Sequence, residues 1–284
     1  MHDSHTVTVS ATAPATVTVT ATVTVSATAS VTATTTVNGL GLGHGQNIWV
    51  DMQACGIFTV MIVVIVAAGM GKRLGMGAKA FIDLGGHSML EISAQKLGQA
   101  KGFGRGVAVV PLGMIEQAIA LLSDNWMVVE GGKNRMESVG AAVDSLADEP
   151  ADALVMVHDA ARPFVSEQLI QRVLNRFADG DADLTIPGLM PVDAVKFLGK
   201  ANNNIVTTIG RDRTILAQTP QVTTLGVLRD GLDLAHRTGR IASDEAQLIE
   251  WLGGRVTVVN GERSNFKITD TFDMEQARWL IGKQ

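Results

Sequence analysis

Short, continuously apolar segments alternate with longer amphipathic segments from Met61 to the end of the chain. The first apolar segment, residues 61–67, contains no polar residue and is followed by a glycine-rich turn. A strand that is apolar on both faces is typical of a parallel sheet, because helices cover both sides of such a sheet. The alternation therefore predicts the α/β class, with a doubly wound, mostly parallel sheet.

The individual elements are predicted from the spacing of apolar residues. Strands are expected at residues 61–67, 106–111, 126–129, 154–158, 184–187, 255–259 and near 266–268. Helices are expected at residues 88–100, 114–122, 135–146, 166–178, 224–237, 244–252 and 272–281. Ligands of such sheets bind at the carboxyl ends of the strands, so the residues directly after each strand are the candidates for a functional site.

Residues 192–220 interrupt the alternation. Two strand-like segments there flank a polar stretch at 201–204, which predicts a β-hairpin that protrudes from the sheet as an arm. Lys196 and Arg213 are expected on the two legs of this arm. Cations on a hairpin are usually solvated, so the pattern by itself assigns neither residue a function.

The first 58 residues differ from the rest of the chain. Residues 6–37 contain only Thr, Val, Ala, Ser and one Pro. This low-complexity segment predicts a disordered or β-prone tail, followed by one domain at residues 59–284. If translation begins at Met52 or Met61, the tail is not part of the cellular protein.

Charge and cysteine content exclude several classes of protein. The formal net charge is −5 and no block of Lys and Arg stands out, so we expect no nucleic-acid partner. A single cysteine, Cys55, excludes a disulfide framework within the chain and a zinc site made of cysteines. The longest apolar run is too short to span a bilayer, so we expect no membrane association and a cytoplasmic location.

The turn after the first strand, in the segment VVIVAAGMGKRLGMGAKAF at 63–81, fits neither of two common phosphate-binding motifs. A P-loop would need a glycine at Val66 and a hydroxyl at Arg73. The dinucleotide fingerprint would need a third glycine at Leu74.

The small residues of this turn still allow a phosphate to approach the backbone. They are Ala67, Ala68, Gly69 and Gly71. The side chains of Arg73 and Lys79 can bind the oxygens of this phosphate. The alternative is an ordinary turn between a strand and a helix, with two solvated cations.

Further motifs in a fixed order narrow the interpretation. They are VEGGKNRMESV at 129–139, VHDAARP at 157–163, RDR at 211–213, QTPQ at 218–221, SDEAQLIE at 243–250 and NFKIT at 265–269. Together with the glycine-rich turn, they resemble the 2-C-methyl-D-erythritol 4-phosphate cytidylyltransferase family of the non-mevalonate isoprenoid pathway. The resemblance runs from about residue 61 to 281 and implies a Rossmann-like nucleotidyltransferase fold. Some relatives carry a second, cyclodiphosphate synthase domain, which we expect to be absent here because the chain stops after its last helix.

The resemblance also implies a reaction and a set of site residues. The enzyme would transfer a cytidylyl group from CTP to the polyol phosphate, with Mg²⁺ as cofactor. The implied catalytic residues are Arg73, Lys79, Arg213 and Lys267. The implied nucleotide-binding residues are Ala67, Ala68, Gly69, Gly71, Gly131, Gly132, Ser138 and Asp159, and Asp159 is also a candidate Mg²⁺ ligand. The implied substrate-binding residues are Arg162, Asp193 and Lys196. The arm would form a homodimer and carry Arg213 to the neighbouring subunit.

Two other functions remain open. Ala194 stands where the family usually has a threonine that would bind the substrate phosphate, so a sister enzyme acting on ribitol 5-phosphate is an alternative. A nucleotide-binding module without catalytic activity is the second, although the cations named above argue against it. His158 is expected to be structural, because no second histidine lies at metal-ligand spacing.

Overall fold

The computed structural model describes residues 6–13, 16–26, 29–38, 60–71, 77–199 and 204–283. The chain divides into two compact units, Met1–Thr59 and Val60–Gln284. In the first unit, β1 (Thr6–Ala13), β2 (Thr16–Ser26) and β3 (Ala29–Asn38) form an antiparallel sheet in that order. The sequence predicts a disordered or β-prone tail here, and the described backbone is extended, as alternating Thr and Val favour.

The second unit contains the α/β elements. Its strands are β4 (Met61–Val66), β5 (Phe103–Val110), β6 (Trp126–Glu130), β7 (Leu154–Asp159), β8 (Leu184–Leu189), β9 (Val195–Leu198), β10 (Ile205–Ile209), β11 (Leu216–Ala217), β12 (Gln221–Thr224) and β13 (Val256–Asn260). Its helices are α1 (Met89–Gly98), α2 (Ile115–Leu121), α3 (Arg135–Asp144), α4 (Glu167–Ala178), α5 (Leu225–Thr238), α6 (Glu245–Trp251) and α7 (Thr271–Ile281). Among the described residues, no helix is long and apolar enough to cross a membrane.

The main sheet has the strand order β11-β8-β12-β7-β4-β5-β6, and β13 also pairs with β8. Strands β4 to β7 are parallel to their neighbours in this group, and β13 is parallel to β8. Strand β12 runs antiparallel to both β7 and β8, and β11 runs antiparallel to β8. The prediction of a doubly wound, mostly parallel sheet is therefore confirmed.

Strand β4 is apolar throughout because both of its faces are buried. Ile62 and Val64 pack with residues of α3, α5 and α6 on one side of the sheet. Met61, Val63 and Ile65 pack with residues of α1, α2 and α4 on the other side. Alternate residues of one strand thus contribute to two separate cores, as the two-residue period of a strand requires.

Two details of the sheet differ from the sequence prediction. Strands β11 and β12 are not predicted, because they contain two and four residues and β12 is partly polar. The strand expected near 266–268 is wrong, since these residues form no strand. Ile268 is apolar because it is buried against Ile82, Phe164 and Met274, and its N–H donates to the carbonyl of Ala161 (2.9 Å).

The predicted arm is present as a separate two-stranded antiparallel sheet of β9 and β10. Lys196 lies on its first leg, whereas Arg213 lies beyond the second leg, in the 3₁₀ turn Arg211–Arg213. The prediction that Arg213 is on a leg is thus wrong. The predicted polar turn lies outside the described residues apart from Asn204. Large apolar side chains of the arm are exposed, among them Phe197, Leu198, Ile205 and Val206.

Two glycines of the second unit differ in the space around them, so alanine substitutions there should have opposite effects on stability. A Cβ at Gly106 would lie 2.0 and 2.2 Å from ring atoms of Trp126, so Gly106→Ala should destabilise the fold by about 1–3 kcal/mol through overpacking. A Cβ at Gly140, inside α3, would meet no atom within 4 Å, so Gly140→Ala should stabilise it by about 0.5–1 kcal/mol through helix propensity. Equilibrium urea unfolding measures both, and a Gly106→Ala protein as stable as the parent would contradict the described packing.

Candidate active site

A cavity of about 690 Å³ lies at the carboxyl ends of the parallel strands. It is lined by the segments that follow β4, β5, β6 and β7, together with Lys79, Lys267 and Thr269. In an open α/β sheet this is the edge at which ligands bind, because the strand order changes direction there. Of the residues that the resemblance implies, the cavity wall contains Ala67, Ala68, Gly69, Gly71, Lys79, Gly131, Gly132, Ser138, Asp159 and Lys267.

The glycine-rich turn folds back on itself at the cavity wall. The N–H of Lys79 donates to the carbonyl of Gly69 (3.1 Å). Gly71 has φ +55°, and a Cβ there would lie 2.9 Å from the carbonyl oxygen of Gly77. Glycine is therefore required at position 71, and the closed turn holds Lys79 at the wall. Arg73 lies outside the described residues.

The two glycine segments pack directly against each other. A Cβ at Gly131 would lie 2.4 Å from the Cβ of Ala68 and 2.8 Å from the Oγ of Ser138. The Ser138 hydroxyl donates to the carbonyl of Asn134 (2.9 Å), whose side chain caps the start of α3. A small residue at position 131 is thus needed for the wall itself, whether or not a base lies against it.

Asp159 ends β7 as a buried carboxylate between cations. Its Oδ1 accepts a hydrogen bond from the Nε of Arg135 (3.0 Å) and its Oδ2 accepts one from the Nζ of Lys267 (2.7 Å). The Nε of Arg162 lies 3.9 Å from the same Oδ2. Burial alone would raise the pKa of Asp159, but Arg135 and Lys267 more than offset it and hold the pKa well below its usual range. Asp159 is therefore ionised at neutral pH.

Arg135 joins Asp159 to a second buried carboxylate. Its Nη1 and Nη2 donate to the two carboxylate oxygens of Glu245 at 2.6 and 3.0 Å. Arg135 is the first residue of α3, after the cap Asn134, and Glu245 is the first residue of α6, after the cap Asp244. Burial would lower the pKa of Arg135, yet Glu245 and Asp159 raise it above its usual value. Glu245 is a site residue that the sequence does not predict, because an acidic residue in the first helical turn is ordinary.

His158 is fully buried and structural, as the sequence predicts. Its Nε2 lies 3.1 Å from the carbonyl of Arg162, and its Nδ1 lies 3.0 Å from the Oγ1 of Thr219. That Oγ1 also accepts a hydrogen bond from the N–H of Asp159 (3.1 Å). Burial lowers the pKa of His158 to about 4. The ring is neutral at neutral pH and fixes the backbone that carries Asp159.

Among the described residues that the resemblance implies, Arg162, Asp193, Lys196 and Arg213 are not part of the cavity wall. The guanidinium of Arg162 donates to the carbonyls of Asn265 (2.9 Å) and Ala217 (3.4 Å), and thus holds two chain segments together. On the arm, the Nζ of Lys196 donates to the Oγ1 of Thr208 (2.8 Å). Asp193 and Arg213 are exposed beside the arm. Within the described part of this chain, the arm residues are not joined to the cavity.

The wall does not fit a metal ion held by protein ligands alone. Asp159 is the acidic side chain of the described lining, and both of its oxygens accept hydrogen bonds from cations. Among the described residues, no group of three or more His, Cys, Asp or Glu side chains could hold a metal ion. The geometry therefore does not support Asp159 as a Mg²⁺ ligand.

A protein-family model described as 2-C-methyl-D-erythritol 4-phosphate cytidylyltransferase matches residues 61–283. The chain belongs to this family. A family member from Rhodococcus jostii is 38% identical over 222 residues, which are 78% of this chain and 95% of the relative. A bifunctional enzyme from Sphingopyxis alaskensis is 36% identical, and the match covers 54% of its length.

Solved structures of family members have the same fold. The Francisella tularensis enzyme superposes with a TM-score of 0.69 at 30% identity, covering 77% of this chain and 98% of that one. The Thermus thermophilus enzyme gives a TM-score of 0.61 at 32% identity, covering 77% of this chain and 97% of that one. The family resemblance read from the ordered motifs is thus confirmed.

The buried His158 predicts that the fold loses stability in acid. The unfolded chain binds a proton near pH 6.5 whereas the folded chain resists it until about pH 4, so stability falls as the pH is lowered between these values. We expect a contribution of about 3 kcal/mol to be lost between neutral pH and pH 4. Urea unfolding of the parent and of His158→Gln at both pH values isolates this contribution. An identical pH dependence in the two proteins would contradict it.

Proposed function

We propose that this chain transfers the cytidylyl group of CTP to 2-C-methyl-D-erythritol 4-phosphate. The products are 4-diphosphocytidyl-2-C-methyl-D-erythritol and pyrophosphate, and the reaction belongs to non-mevalonate isoprenoid precursor synthesis. The observation that carries the proposal is the cavity wall on which the glycine-rich turn, Lys79 and Lys267 meet, in a chain of this family. A cytoplasmic location agrees with this function.

The reaction needs neutralisation of charge more than it needs a base. The attacking oxygen belongs to the phosphate of the polyol and is already ionised at neutral pH. It forms a bond to the α-phosphorus of CTP while the bond from that phosphorus to the bridging oxygen breaks, and pyrophosphate leaves with the electron pair. Two unit charges 4 Å apart interact by about 4 kcal/mol near a protein surface, so two polyanions need several cations between them. The enzyme aligns the two substrates and stabilises the charge at the phosphorus.

The proposed roles follow this need. Arg73 and Lys79 stabilise the charge that develops on the triphosphate. Lys267, whose ammonium is held at the wall by Asp159, orients the attacking phosphate together with Arg213. The nucleotide lies along Ala67–Gly71, Gly131, Gly132 and Ser138, and the substrate contacts involve Arg162, Asp193 and Lys196.

A homodimer formed through the arm would complete the site. The arm exposes Phe197, Leu198, Ile205 and Val206, apolar side chains that a second copy would cover. The arm of one subunit would then bring Arg213 and Lys196 to the cavity of its partner. This accounts for their separation from the cavity within one chain.

Mg²⁺ would enter with the nucleotide. The ion prefers one or two carboxylates together with substrate phosphates and several waters, and its charge would offset that of the triphosphate. The cavity wall offers Asp159, already paired with cations, so the phosphates of CTP would be the main ligands of the ion.

A second candidate substrate is ribitol 5-phosphate. Ala194 replaces the hydroxyl that the family usually offers to the substrate phosphate, so selectivity for the branched polyol has less support than nucleotide binding. Incubation of the protein with CTP, Mg²⁺ and each polyol phosphate, with products read by mass, decides between them. Product from ribitol 5-phosphate alone would replace the first proposal, and no product from any polyol phosphate would favour an inactive nucleotide-binding module.

Removal of either cation proposed to bind the triphosphate should slow turnover with little effect on the fold. We expect Arg73→Ala and Lys79→Ala each to lower the rate of pyrophosphate release by roughly 10²–10³, by analogy with a lost oxyanion donor. Lys101→Ala is the matched control, because Lys101 is exposed and is not part of the cavity wall. Full pyrophosphate release by Arg73→Ala or Lys79→Ala would overturn the assigned roles.

Metal binding should depend on the nucleotide. Because Asp159 is held by Arg135 and Lys267, we expect the protein to retain no Mn²⁺ in equilibrium dialysis without CTP. With saturating CTP we expect one retained ion for each bound nucleotide. Retention of Mn²⁺ by the nucleotide-free protein would show that the protein has a metal site of its own.

A further inference from the structure

Glu245 is a buried carboxylate to which the proposed reaction gives no role. Its side chain is 1% exposed, and it is not part of the cavity wall. Both of its oxygens are taken up by the guanidinium of Arg135, at 2.6 and 3.0 Å. Burial of a charge costs desolvation free energy, which the two-point contact with Arg135 must offset. A carboxylate that served only to keep the protein soluble would lie at the surface.

The guanidinium of Arg135 is divided between two carboxylates. Its two terminal nitrogens face Glu245, and its Nε alone donates to the Oδ1 of Asp159 (3.0 Å). The two contacts with Glu245 fix the orientation of the guanidinium, and in this orientation only its Nε donates to Asp159. The Oδ2 of Asp159 is therefore left to the ammonium of Lys267 at 2.7 Å.

We propose that Glu245 is a positioning residue for the reaction. By holding the terminal fork of Arg135, it keeps the Oδ2 of Asp159 available to Lys267 and thereby fixes the Lys267 ammonium at the cavity wall. The inference rests on the proposed function, in which Lys267 orients the attacking phosphate. Glu245 itself touches no substrate.

Charge balance points in the same direction. Three cations, Arg135, Arg162 and Lys267, lie around two carboxylates, Asp159 and Glu245. Without the charge of Glu245, the guanidinium of Arg135 can turn toward Asp159 and bind both of its oxygens through two parallel hydrogen bonds. That arrangement is stronger than a single contact and displaces Lys267.

The first test compares three variants by steady-state kinetics. We expect Glu245→Gln to lower kcat by about tenfold or more while the KM for CTP changes by less than about threefold, since the residue acts through Lys267 and not on the nucleotide. Glu245→Asp keeps the charge and should stay within about threefold of the parent. Glu250→Gln, the same change at an exposed position of the same helix, is the control.

The order of the variants separates positioning from packing. Gln has nearly the shape of Glu, whereas Asp is one methylene shorter and leaves a gap. A packing role would therefore make Glu245→Asp the more damaging substitution. That order, or an unchanged kcat in Glu245→Gln, would overturn the proposal.

A second readout needs no turnover and so separates this inference from the proposed function. Reductive methylation with ¹³C-formaldehyde labels the lysine amines and keeps their positive charge, and Lys267→Arg identifies the Lys267 resonance. In Glu245→Gln we expect this resonance to move toward that of solvated lysines, and in Glu250→Gln to stay in place. An unmoved resonance in a folded Glu245→Gln protein would contradict the proposal even if the enzyme had no cytidylyltransferase activity.

The double variant Arg135→Gln/Glu245→Gln covers the case in which Glu245→Gln alone does not fold. It leaves no unpaired charge between the two positions and removes the competitor for Asp159. We expect its Lys267 resonance to match that of the parent. Displacement of Lys267 in the double variant would show that Arg135 is not the competitor, and the inference would fail.

Discussion

The site depends on the neutralisation of one buried carboxylate. Asp159 ends a central strand, and a carboxylate in such a place is tolerated only if cations and hydrogen bonds compensate the loss of water. The compensation comes from Arg135 at the start of α3 and from Lys267 in the segment after β13. The carboxylate of Asp159 therefore links segments of the chain that are far apart in sequence. Arg135 extends this link to Glu245 at the start of α6.

This pairing allows several cations to lie close together at the cavity. Several cations on one wall would repel each other, but Asp159 and Glu245 pair with Arg135, and Asp159 also pairs with Lys267. Lys267 is the member of this group that is 40% exposed at the cavity. An arriving phosphate can share its ammonium with Asp159 without rebuilding the buried part of the network.

The sequence predicts the central sheet because its strands are buried on both faces and are therefore apolar without interruption. It does not predict β12, because four residues with polar side chains carry no such signal. The segment near 266–268 is apolar because it is buried, although it forms no strand. A short buried loop and a short buried strand have the same apolar pattern in the sequence. At the cavity, residues directly after strands could be named from the sequence. Glu245 could not, since its partner Arg135 is 110 positions away.

The central claim is that cations on this wall hold the phosphates of two substrates close together. A crystal structure of the protein with CTP and Mg²⁺ tests it most directly. The account predicts phosphate oxygens within about 3 Å of the ammonium groups of Lys79 and Lys267, the normal range of such hydrogen bonds. A bound nucleotide whose triphosphate points into solvent, with both ammonium groups touching only water, would contradict it.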